Sequence, residues 1–99
     1  MVMKIAGIEW DAGNVTKCQK HGVSIGEIEA LLLGNPAFAP DLKHSQTEKR
    51  YVAVGTTTQG KAVFVAFTLR DYARETYIRP VSARYMHTKE ASSYEKESS

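Results

Sequence analysis

Three observations on this 99-residue chain predict an α+β fold. Two short helical segments near the N-terminus each begin on a capping residue. Strand-forming stretches separated by glycine and polar turns then fill residues 37 to 83. A last helical segment follows His87. The order β-α-α-β-β-β-β-α describes a curved antiparallel sheet with helices on one face.

Residues 3–10 alternate partly and read as a first strand. Asp11 N-caps a helix that runs to about Lys20, although Gly13 and Thr16 weaken it. His21-Gly22 stops that helix, glycine being free to take the left-handed cap. Ser24 caps a second helix, and Glu27 three residues on completes a capping box. Ile25, Ile28, Leu31 and Leu32 keep helical spacing, so this helix buries one face until Gly34-Asn35-Pro36 ends it. Residues 37–42 form a weak strand and residues 43–48 a polar loop. Residues 50–56 and 61–69 are strong strands joined by a turn containing Thr58-Gln59-Gly60. Residues 70–74 lead to a third strong strand over 75–83. Pro80 within it removes a ladder donor and calls for an edge or a bulge. The final helix carries Ala91 and Tyr94 on one side.

The length fits one domain over residues 1–99 with a small core, its tail from residue 94 prone to fray. One cysteine excludes an internal disulfide framework, and no Cys/His cluster has zinc spacing. Apolar runs fall well short of the roughly 20 residues that span a bilayer, and no signal-peptide pattern opens the chain. A cytoplasmic protein is expected.

All five arginines lie between residues 50 and 84: Arg50, Arg70, Arg74, Arg79 and Arg84. Residues 43–89 hold nine basic and three acidic side chains, a net of +6, between flanks of −2 each, so the total of +2 hides a basic segment. Guanidinium holds phosphate through paired donors without losing its proton, which makes nucleic acid the expected ligand. His21 follows Lys20 at a helix end, and His44, Ser45, Glu48 and Arg50 fall within seven residues at the mouth of a strand. Arg79 and Arg84 are five apart and point to opposite faces unless the strand bends between them. This set suits RNA cleavage in which the ribose 2′-hydroxyl attacks its own 3′-phosphate. The reaction needs a base, cations on the phosphorane oxygens and an acid for the leaving oxygen, and no metal or other cofactor.

At these positions the chain resembles the BrnT toxins, members of the RelE-like ribonuclease group. The matching pieces are Glu9-Trp10-Asp11, Lys20-His21-Gly22-Val23-Ser24, His44-Ser45-x-x-Glu48-x-Arg50, Arg79-x-x-Ser82-Ala83-Arg84 and Glu90-x-x-x-Tyr94-Glu95. The resemblance implies a RelE-like fold and a toxin that blocks translation by cutting RNA. It also implies a cognate antitoxin with a ribbon-helix-helix domain, the complex binding its own promoter DNA. The family's functional positions carry over to Trp10, Lys20, His21, His44, Glu48, Arg50, Arg79 and Arg84, and Arg70 joins Trp10 and His44 as a candidate substrate contact. The chain departs from the family at Gly13 or Asn14, where lysine is frequent, at Pro80 and at His87, and its Trp10–His21 segment is one residue short.

Each candidate also has an ordinary role. Arg79 and Arg84 suit surface ion pairs worth little. Glu48 can pair with Arg50 two residues away. Lys20 and His21 can serve as cations at a helix C-terminus. Trp10 fits a core position better than a base-stacking one, and Cys18 fits a buried small hydrophobe. Two further functions stay open: a module that holds RNA or DNA without cutting it, and a basic face that receives an acidic antitoxin segment.

Overall fold

A computed structural model of the chain describes residues 5–34, 36–41, 43 and 48–86. His44, the final helix and the Glu90–Glu95 motif lie outside these residues, as does the start of the expected first strand. The described elements are β1 (Gly7–Ile8), α1 (Ala12–Cys18), α2 (Ile25–Leu33), β2 (Ala37–Pro40), β3 (Arg50–Thr56), β4 (Ala62–Tyr72) and β5 (Glu75–Tyr85). This is the α+β order expected up to residue 86. The five strands form one mixed sheet in the order β1-β5-β4-β3-β2. Strands β2 to β5 are antiparallel neighbours, but β1 joins β5 in parallel, through Gly7–Tyr77 and Ile8–Ile78. The expected sheet was wholly antiparallel. A two-residue pairing between segments some 70 positions apart leaves no periodic signal of its direction.

Capping sets the helix boundaries. Asp11 accepts from the amides of Gly13 and Asn14, and the Asn14 side chain accepts from the Asp11 amide, which closes a box at α1. Helix α1 is shorter than expected, ending at Cys18, and Gly22 takes φ 91° in the turn that follows. Ser24 and Glu27 form the expected box at α2. Helix α1 packs on β5 and α2 on β3. A Cβ on Gly55 would meet Leu31 Cδ1 at 3.0 Å, so glycine at this point of β3 is what lets α2 sit close.

Side-chain alternation gives the sheet two unlike faces. Val63, Val65 and Phe67 of β4, Ala53 of β3, and Ile78 and Ala83 of β5 join Cys18, Val23, Ile28, Leu31 and Leu32 in the core beneath the helices. Phe67 is fully buried, edge-on to Phe38 at 5.8 Å and stacked on Tyr51 at 5.7 Å. Cys18 is likewise fully buried, and burial raises its thiol pKa. On the outer face, away from the helices, Val52, Val54, Ala66 and Thr68 are also buried. No helix of the described residues is long and apolar enough to cross a membrane.

Candidate functional site

The irregularity at Pro80 arranges the basic side chains. Register runs Thr68–Arg79 and Phe67–Pro80, then skips to Ala66–Ser82, so Val81 is an extra residue on β5. Strand β1 pairs only with Tyr77 and Ile78, so Pro80 lies past its end. Both expected explanations meet here: a bulge toward β4 and, among the described strands, a local edge on the other side. The extra residue resets the alternation. Ile78 and Pro80 before it, and Ala83 and Tyr85 after it, share the core side, while Arg79 and Arg84 both face outward.

Arg79 sits opposite Thr68 of β4, and Thr68 sits opposite Arg50 of β3. The two arginines thus flank one threonine across three adjacent strands, with Cα atoms about 10 Å apart. Arg70, two residues along β4, shares the face. Its Nη1 donates to Thr68 Oγ1 at 3.3 Å and pairs with the Glu48 carboxylate. Glu48 therefore reaches across to Arg70. Arg84 stands opposite Phe64, farther along the same face, with its guanidinium 4.7 Å from the Phe64 ring centroid. Four residues of β4 separate the Arg79 and Arg84 rungs, about 13 Å.

Two carboxylates close on Arg79. Its Nη1 donates to Glu9 Oε1 at 3.0 Å and its Nη2 to Asp11 Oδ2 at 2.8 Å. Glu9 reaches this face because its amide continues the β1–β5 ladder, donating to Ile78 O at 2.8 Å. Asn14 ties the arrangement to the bulge: its Nδ2 donates to the carbonyls of Glu9 and Pro80, both at 3.0 Å. Partial burial works to lower the Arg79 pKa, but bonds to Asp11 and Glu9 outweigh it and hold the pKa above its ordinary value. The Asp11 carboxyl is held below its usual range by the Asn14 amide first and by Arg79 second. The hydroxyl of Tyr72 is pushed up, chiefly by its hydrogen bond to Glu9.

The other candidates lie elsewhere. Lys20 and His21 are exposed in the turn after α1, where the Gly22 carbonyl accepts from Tyr85 Oη at 3.4 Å on the helix side. Trp10 is half-buried against the core, and its Nε1 donates to Glu29 Oε2 at 3.1 Å. The fold thus gathers Arg50, Arg70, Arg79, Arg84 and Glu48 on one face and leaves Lys20, His21 and Trp10 off it. Glu9, Asp11 and Tyr72 join the face as well. The sequence offered the first two as part of a matching motif and the third as one of five tyrosines that could stack or supply a proton, but counted none among the site residues. The spacing of Glu9 and Asp11, two apart in an extended segment, was the available signal, because it sends both carboxylates to one side. Among the described residues no group of three His, Cys, Asp or Glu side chains converges as metal ligands.

Residues 10–90 match the family described as the ribonuclease toxin BrnT of type II toxin–antitoxin systems. The chain belongs to the BrnT family. No curated protein matches it closely enough to add to this. Membership makes it a relative of ribonuclease toxins that are paired with a protein antitoxin. In this BrnT chain the matched span contains every element from α1 to β5 and so the whole arginine row.

Proposed function

We propose that this BrnT chain is an endoribonuclease toxin that cleaves RNA without a metal and thereby inhibits translation. The observation that carries this reading is the Arg50–Thr68–Arg79 row with Arg70 beside it, on the face away from the helices. Phosphate oxygens need several guanidinium donors from different directions, and three adjacent strands supply them. Glu48, next to Arg70, takes the proton of the attacking 2′-hydroxyl. The departing 5′-oxygen gains a proton, leaving a 2′,3′-cyclic phosphate and a 5′-hydroxyl end. Arg84 holds a neighbouring phosphate of the same strand. Glu9 and Asp11 occupy Arg79 in the free protein, and an incoming phosphate replaces at least one of them.

In this reading the partner is a ribbon-helix-helix antitoxin, the hetero-oligomer binds promoter DNA, and the toxin acts in the cytoplasm. One observation favours a second reading, in which the face binds RNA or DNA without cutting. Both terminal nitrogens of Arg79 already point at Glu9 and Asp11, which leaves this arginine fewer donors for a phosphorane than a cleavage site needs. Induced expression of the wild type beside Arg79→Ala and Arg50→Ala separates the two. Growth arrest with new RNA 5′ ends, both lost in folded arginine variants, supports the nuclease. Normal growth and intact RNA with soluble wild type supports the binding module.

A further inference from the structure

Among the described residues the exposed large hydrophobic side chains are Leu33 and Tyr72, and Tyr72 stands on the arginine face. It ends β4, two residues beyond Arg70 and so on the same side. Its ring centroid is 5.7 Å from that of Tyr77, which faces Arg70 across the β4–β5 ladder. The hydroxyl of Tyr72 bonds to Glu9, the residue that also holds Arg79. Half of Tyr72 is open to solvent at 49% exposure, leaving ring surface available to a ligand.

The turn after Tyr72 fixes this placement at some cost. Only Ala73 and Arg74 separate β4 from β5, and both adopt left-handed backbone, φ 50° and 69°. Neither is a residue that favours that region. Strain of this sort persists where the surrounding structure enforces it, and it gathers at functional sites. Here the two-residue turn closes on the Tyr72–Glu75 pair, and the Tyr72 ring lies beside Tyr77.

We propose that the Tyr72–Tyr77 pair is a base-stacking subsite for single-stranded RNA, next to the phosphate held by Arg70 and Arg79. This rests on the ribonucleic-acid reading of the face given above. Two residues of strand separate Arg70 from Tyr72, about 7 Å, comparable to the reach from a nucleotide's phosphate to its own base. An exposed aromatic ring beside guanidinium groups is the combination that holds single strands, phosphate on the cations and base on the ring. Stacking does not depend on base identity, so this subsite accepts any of the four bases. It selects unpaired RNA over duplex, whose bases are already stacked.

The test is binding of a fluorescein-labelled 2′-O-methyl oligoribonucleotide, which cannot be cut because its attacking hydroxyl is blocked. Wild type, Tyr72→Ala, Tyr72→Phe and Arg70→Ala are compared by anisotropy, with thermal melts confirming that each folds. Tyr72→Ala should weaken binding about tenfold or more, and Tyr72→Phe, which keeps the ring and loses the hydroxyl, should restore it. Arg70→Ala should weaken binding and flatten its salt dependence. Tight binding by Tyr72→Ala, with Arg70→Ala impaired, overturns the stacking subsite and leaves the arginine face standing. No binding by the wild type overturns both, and points to a face built to receive a protein segment.

Discussion

Arg79 and Arg84 lie five residues apart on β5 and point to the same face of the sheet, because Val81 is an extra residue between them. Arg79 belongs to the Arg50–Thr68 row, while Arg84 sits against Phe64 about 13 Å farther along. Their contributions should differ in kind. Arg79→Ala should lower kcat about a hundredfold, the loss of roughly 3 kcal/mol of transition-state stabilisation. Arg84→Ala should raise KM with kcat little changed, since it removes binding shared by ground and transition states. Steady-state kinetics on a short RNA separate the two.

The carboxylates on Arg79 oppose phosphate binding, and removing their charge should strengthen it. Asp11→Asn keeps a good N-cap for α1 but takes away one anion beside Arg79. RNA affinity should rise, while the melting temperature at neutral pH falls slightly because the ion pair with Arg79 goes with the charge. Asp11→Ala should instead lower the melting temperature further, because the cap is lost along with the charge. Anisotropy titrations and thermal melts on both variants check this.

Acid should loosen the same corner. The folded pKa of Asp11 is lowered from 3.8, so its contribution to stability is complete above about that pH. It is lost as pH falls through the folded value. Glu27, lowered from 4.5 by the Ser24 amide and by Tyr85, acts in the same sense at the start of α2. Tyr85 is raised above 10.0 by Glu27, so its contribution is present below pH 10 and lost as pH climbs through the folded value. Melting temperature followed from pH 2 to 5 should fall less steeply in Asp11→Asn than in the wild type.

Asn14 is 5% exposed and fastens α1 to the bulge by bonding the carbonyls of Glu9 and Pro80. Asn14→Ala leaves these acceptors and the Asp11 amide without their partner, and should cost about 1–3 kcal/mol. It should also reduce cleavage, since Asn14 holds the backbone of Glu9, which pairs with Arg79, and of Pro80, the residue next to Arg79. Denaturant melts and activity, measured together, test the coupling.

The Ala73-Arg74 turn predicts the opposite sign. Replacing the pair with Asn-Gly relieves two left-handed backbones and should stabilise the fold by about 1–2 kcal/mol, a rise of several degrees in Tm. A melt of the double variant measures it.

Local rules carried the sequence reading as far as local interactions reach. Ser24 with Glu27, the Gly22 stop, strand β3 and the bulge at Pro80 each follow from a few neighbouring residues. What was hidden depends on distant pairing. Glu9 meets Arg79 across 70 positions, and Glu48 meets Arg70 across 22, so a count of charges overstated the open positive surface. The β4–β5 turn was read as a longer link, because neither Ala73 nor Arg74 carries a glycine or asparagine signal. The arginines were legible by type, but their common face became visible only with the register of three strands.

The most direct measurement incubates purified wild type and Arg79→Ala with a synthetic RNA in the presence of a chelator, then identifies the new ends by mass spectrometry. The account predicts 2′,3′-cyclic phosphate and 5′-hydroxyl ends from the wild type and about a hundredfold fewer from the variant. Intact RNA from a folded wild type, or cleavage at an equal rate by Arg79→Ala, would contradict it.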